Sequence, residues 1–385
     1  MTTLFDSFAL GSLELPNRMV MAPMTRTRAS DDRTPTLLMR EYYAQRASAG
    51  LIVTECTAVR EDSAGIIRAP AIYNDTQIAG WRSVTDVVHA AGGRIFLQIW
   101  HGGRISHPSL QPNGELPVAP SAIAASGLIF TPQGRVLYVA PRALELAEIA
   151  PLVQAFGRAT ANARQAGFDG VELHGAFGYL PDQFLQDGTN VRTDGYGGSI
   201  ANRSRFLLEA VEAMIGAWGR ERIGVKLSPS ARFYGQTDSD AMATFGYVAG
   251  VLDTMKIGYL HIMEPSAADL ATGTVQIPHT TEALRPLFRG AVITNGGYDK
   301  ARAQAALTNG IADLISFGVP FLANPDLPER YRRTTPLNAP DPATFYGEGP
   351  HGYTDYPTLA ESTRRKNQFG GRGRPIGSNI PSVLF

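Results

Sequence analysis

A chain of 385 residues with 44% hydrophobic and 18% charged residues has the make-up of a globular protein with a large core. Lys+Arg and Asp+Glu both number 35, so the balanced charge excludes a broadly basic surface for nucleic acid or acidic membrane. The single cysteine, Cys56, excludes an internal disulfide and a cysteine-built metal cluster. The opening MTTLFDSFAL has no basic stretch followed by an apolar run. No segment approaches the ~20 apolar residues of a membrane span. The expectation is a soluble, cytoplasmic protein with no metal and no nucleic-acid or membrane partner.

Eight short apolar runs follow one another. They are RMVMAP from Arg18, LIVTECTAV from Leu51, RIFLQIWH from Arg94 and GFDGVELHG from Gly167. RIGVKLSP from Arg222, GYLHIMEP from Gly258, GAVITNGGY from Gly290 and ADLISFG from Ala312 complete the set. Continuous Val/Ile/Leu runs suit strands buried on both faces of a parallel sheet. Helical spacing occupies the stretches between, at Ile78–Ala91, Leu146–Ala166, Ser204–Trp218 and Lys300–Thr308, several closed by glycine. The alternation predicts an α/β fold, a (β/α)8 TIM barrel, with an open doubly wound sheet as the other arrangement it permits.

Residues His107–Pro141, rich in Pro, Gly, Ser and Ala, form a rim excursion after strand 3, where long loops are often functional. The barrel is expected to span residues 1–357. Residues 358–385 form a polar, then basic and glycine-rich tail, disordered by composition or an arm on a neighbour.

The C-terminal strand ends of such a barrel form its active face. Here they carry Thr25, Glu55-Cys56, Gln98 with Trp100 and His101, His174, Lys226 and Glu264. Asn295-Gly296-Gly297 and Phe317-Gly318 end the last two strands, where this fold often builds a phosphate site from loop amides. A lone strand-end histidine is more often structural than catalytic; the convergence of many polar ends is what points to a site.

The segments LPNRMVMAPMTR, YYAQRASAGLIVTE, FLQIWHGGR, LPVAPSA, the run from AGFDGVELHGAFGYL to NRSRFLLE, and HGYTDYP resemble the Old Yellow Enzyme family. The likeness runs from about Leu4 to Pro357 and leans toward the bacterial and fungal alkene-reductase and nitroester-reductase branch. The resemblance implies FMN at the barrel mouth, NADPH or NADH as hydride donor, and a monomer or homodimer. It implies an NAD(P)H-dependent ene-reductase acting on α,β-unsaturated carbonyl or nitro compounds. Pro23, Met24 and Cys56 would line the flavin, Thr25 would bond its O4, and Gln98 would read its pyrimidine edge. Lys226 would place positive charge near N1 and O2. Asn295, Gly296, Gly297, Phe317, Gly318 and Val319 would form the phosphate end. Trp100 and Tyr353 would wall the substrate pocket, His174 would polarise the substrate oxygen, and Tyr179 would donate a proton.

Four positions depart from the family pattern. Lys226 stands where the family usually has arginine, which keeps the charge but loses the planar fork. Phe177 replaces the second member of His-x-x-Asn or His-x-x-His, leaving His174 as the one donor. Val319 replaces the arginine on the FMN phosphate. Cys56 replaces a small residue beside the flavin edge. These changes leave two alternatives open: a divergent flavin-bound isomerase or desaturase, or a barrel with weak or lost FMN acting without net redox change.

Overall fold

All eight apolar runs form parallel strands. They are β1 (Met19–Met21), β2 (Leu51–Val53), β3 (Ile95–Trp100), β4 (Gly170–Gly175), β5 (Ile223–Leu227), β6 (Tyr259–Met263), β7 (Ala291–Asn295) and β8 (Leu314–Phe317). Each pairs with the next, and β8 pairs with β1 through Phe317 opposite Met21, so the sheet closes. The computed structural model describes residues 2–369 apart from residue 231. The open-sheet alternative is thereby excluded. No helix among the described residues is long and apolar enough to cross a membrane.

Helices start where their caps lie rather than where apolar spacing begins. Asn74 accepts a hydrogen bond from the Gln77 amide and starts Asp75–Ala90, ahead of the expected Ile78. Ser199 accepts one from Asn202 and starts Ile200–Trp218, ahead of the expected Ser204. The helices Leu146–Gln165 and Lys300–Thr308 follow the expected spans closely. Within the tail, Thr358 and Glu361 exchange hydrogen bonds at the start of a helix over Leu359–Phe369. Residues 370–385, the glycine-rich part of that tail, lie outside the described residues.

The barrel interior is layered by side-chain size. At its base Phe96 and Tyr259 point inward beside Leu51, Val53, Ile293 and Leu314. The antiparallel hairpin Phe8–Leu10 and Leu13–Leu15 seals this end with Leu10 and Leu15. Two glycines make room for the rings. A Cβ on Gly170 would lie 2.4 Å from the Phe96 ring, and one on Gly224 would lie 2.1 Å from the Tyr259 ring. The apolar base leaves polar side chains only the middle and the mouth.

The rim excursion is ordered. Val118–Ala119 pairs with Arg142–Ala143, and Leu128–Thr131 forms an antiparallel hairpin with Gly134–Leu137. Its Ile129, Val136 and Tyr138 pack toward the barrel mouth with Trp100 and Tyr179.

Gly224→Ala should destabilise the fold by about 1–3 kcal/mol, because the new methyl overpacks the base against Tyr259. A urea midpoint equal to that of the parent would contradict this layering.

Candidate active site

The middle layer is a buried polar network. Glu172 on β4 lies opposite Gln98 on β3 and accepts a hydrogen bond from Gln98 Nε2 at 2.8 Å. His261 Nδ1 lies 2.8 Å from the other Glu172 oxygen. Burial alone would raise the Glu172 carboxyl, but His261 and Lys226 hold it below its usual range. It is therefore a carboxylate, and His261 donates to it.

Lys226 on β5 sits between His174 and His261 in register. Burial lowers its ammonium to about 8, opposed by the Glu172 charge, so it stays mostly protonated at neutral pH. Among the described residues it finds no hydrogen-bond acceptor, and its ammonium lies 5.3 Å from the centroid of the Phe177 ring.

The mouth is aromatic. The His174 and Tyr179 rings meet edge to face with centroids 4.8 Å apart, and Trp100 meets Tyr179 at 5.3 Å. Burial, with the Lys226 charge beside it, pushes the His174 pKa well below its ordinary value, so the imidazole is neutral. Burial likewise pushes the Tyr179 phenol well above its ordinary value, so it holds its proton. The loop bearing Tyr179 is pinned by Asp182, which accepts from the Gly178 amide at 2.8 Å and from Gln186 at 2.7 Å.

Phe177 occupies this loop with φ 59. The left-handed region costs a residue with a Cβ about 1–2 kcal/mol and is easier for asparagine. The ring is locked by stacking on Phe233 at 4.6 Å, while its amide donates to Ser228 Oγ at 2.8 Å.

Thr25 Oγ1 and Cys56 Sγ are 3.0 Å apart at the ends of the first two strands, following Pro23 and Met24. Burial pushes the thiol up to about 12. Across the mouth, Gly296 has φ 125, and a Cβ there would lie 2.8 Å from Glu264 Cβ. Asn295 Nδ2 donates to the Ser316 carbonyl at 3.0 Å and joins the ends of β7 and β8, next to Phe317, Gly318 and Val319.

Other strand-end residues have structural partners. His101 Nδ1 accepts from the Gly103 amide, and burial lowers the ring to about 4. Glu264 accepts from the Thr280 and Thr281 amides. Glu55 accepts from the Arg26 amide and the Tyr43 hydroxyl. Tyr353 is fully buried in the adjoining arginine-aromatic cluster, stacked on Tyr42 at 4.1 Å and flanked by Arg26 and Arg28. Its buried hydroxyl has no hydrogen-bond partner among the described residues.

Sequence reading missed Glu172, His261 and Asp182. The signal for Glu172 was parity: it lies two residues before His174, so it faces the same interior. Ser228, Phe233 and Tyr138 reach the site only through folded loops.

The residues present fit a flavin. A buried cation without an acceptor, the free carbonyl end of Gln98 and the Thr25 hydroxyl match the mixed donors and acceptors of an isoalloxazine edge. The two positive-φ glycines, Gly296 and Gly297, give the backbone close approach to a phosphate. Buried polar atoms without partners, His174 Nδ1 and Trp100 Nε1, border the same mouth.

Comparison with known proteins agrees. Residues 3–338 match the model of the NADH:flavin oxidoreductase / NADH oxidase family. The chain is 41% identical over 361 residues to 12-oxophytodienoate reductase 1 of Oryza sativa subsp. japonica, covering 93% of each chain. It is 43% identical to a probable flavin mononucleotide-dependent alkene reductase of Leishmania infantum, covering 91% of this chain and 96% of that one. Morphinone reductase solved with tetrahydroNAD superposes with a TM-score of 0.88 at 47% identity, covering 93% of this chain and 98% of that one. The Old Yellow Enzyme homologue of Zymomonas mobilis gives 0.89 at 44% identity, covering 93% of this chain and 100% of that one. The chain therefore belongs to the NADH:flavin oxidoreductase family, in its Old Yellow Enzyme group, and is an NAD(P)H-dependent flavin oxidoreductase.

A thiol raised to about 12 stays protonated far above neutral pH, so Cys56 should resist a disulfide reagent at pH 8 and react fully in guanidinium. Rapid labelling of the native protein would contradict this placement.

Proposed function

We propose that this protein uses NAD(P)H and FMN to reduce the C=C bond of α,β-unsaturated carbonyl and nitro compounds. The observation that carries the reading is the meeting of neutral His174 and protonated Tyr179 beside Trp100, above Lys226 and Gln98. When bound, FMN supplies the hydride chemistry that no side chain here provides.

The residues divide the remaining work. Thr25 and Gln98 orient the ring system, and Lys226 sets a cation at its polar edge. Glu172 fixes Gln98 with its Nε2 occupied, so the carbonyl end is free to accept from a ring N–H. His174 donates to the substrate oxygen as negative charge develops there, in a low-dielectric site where such a bond is strong. Tyr179 gives its hydroxyl proton to the substrate α-carbon. Trp100, Ile129 and Tyr138 keep water from the reacting atoms.

Phe177 offers no donor, so charge on the substrate oxygen rests on His174. The loss of one such donor costs about 10²–10³ in rate. Alkenes that are strongly activated, such as nitroalkenes, depend least on the missing bond. They are the preferred substrate class, and simple enones are turned over more slowly.

His174→Ala and Tyr179→Phe should each lower substrate-dependent NADPH oxidation by about 10²-fold. Full activity in either variant removes the role given to that residue. Phe177→Asn should raise enone turnover and also raise the thermal midpoint, since asparagine tolerates the backbone at φ 59. A variant that is more stable but slower with enones would show that the site is built around the phenyl ring.

A further inference from the structure

The loop after β7 leads from Gly296 and Gly297 into Tyr298, Asp299 and the helix Lys300–Thr308. Asp299 caps that helix by accepting from the Arg302 amide at 2.8 Å. Arg302 sends its side chain back over the loop. Its Nη1 lies 3.2 Å from the Gly296 carbonyl and 3.4 Å from the Gly297 carbonyl. Its guanidinium stacks over the Tyr298 ring at 4.5 Å, which fixes its direction.

A Cβ built on Gly297 would meet only one atom within 4 Å, Arg302 Nη1 at 3.9 Å. The space above this glycine is thus open except toward the guanidinium. Arg302 carries five N–H donors and uses them only for two long carbonyl contacts; among the described residues no carboxylate pairs with it. Two further cations, one on this helix and one on a helix after β8, are committed. Lys300 Nζ donates to Thr334 Oγ1 at 2.8 Å, and Arg330 Nε pairs with Asp326 at 2.8 Å. At the end of β8, Val319 supplies no charge at all.

We infer that Arg302 is the cationic partner of the FMN phosphate, replacing from the β7 loop the charge that position 319 lacks. This rests on the flavin reading above. A phosphate dianion held by loop amides alone has no counter-charge, whereas a guanidinium offers paired donors of matching geometry. The side chain is exposed, so the contribution is moderate and screened by salt.

The test is titration of the full chain, freed of flavin, with FMN and separately with riboflavin, which lacks the phosphate. Arg302→Ala should raise the FMN dissociation constant about tenfold, less so in high salt, and leave riboflavin binding within about twofold. Arg302→Lys should fall between, and Val319→Arg in the Arg302→Ala chain should restore FMN affinity. Equal weakening of both flavins would mean that Arg302 only braces the loop, and unchanged FMN affinity would also overturn the inference. A parent chain that binds neither flavin would defeat the flavin reading itself, and this inference with it.

Discussion

The site depends on one buried charge, the carboxylate of Glu172. A carboxylate in the centre of a barrel costs several kcal/mol unless partners compensate it. Here Gln98 and His261 take its two oxygens, and Lys226 supplies the opposite charge. Each partner is constrained in return. Gln98 is turned so that its carbonyl faces away from Glu172, His261 is held as the tautomer that donates from Nδ1, and Lys226 keeps its proton despite burial. The apolar base beneath, packed by Phe96 and Tyr259 over Gly170 and Gly224, keeps water from this layer. A rigid polar floor results, two residues before His174 along β4.

Above that floor the site is less polar than its position suggests. Phe177 is held against Phe233 in a backbone conformation that suits asparagine better, which stores strain at the reacting face. The phenyl ring takes the place of a donor and faces Lys226 instead. Cys56 is neutral and hydrogen-bonded to Thr25, so it fills space at the ends of the first two strands without adding a nucleophile. The hairpin of the rim excursion completes the bowl with Ile129, Val136 and Tyr138. On the proposed reading, substrate orientation falls mostly to shape and to the single donor His174.

The barrel was legible because its strands are buried on both faces and read as unbroken apolar runs. Helix starts were less so, because Asn74 and Ser199 extend each helix beyond its first apolar residue. His174 and Tyr179 stood out through motif context. Glu172 and His261 lay hidden inside strands, although their spacing from His174 and from the strand ends places them in the interior. The left-handed backbone at Phe177 has no sequence mark, since only a small residue would advertise it. The distance from Arg302 to Gly297 exists only once the loop has turned back on the helix. Tyr353 stood out through its motif, but its packing between Arg26 and Arg28 could not be read from it.

The most direct measurement is an anaerobic titration of the FMN-loaded protein with NADPH, followed by visible absorbance. A working flavin reductase predicts full bleaching of the oxidised flavin band at one equivalent, and return of the band when a nitroalkene is added without oxygen. Bound flavin that stays oxidised, or reduced flavin that the alkene leaves bleached, would contradict the assignment of this barrel as an ene-reductase.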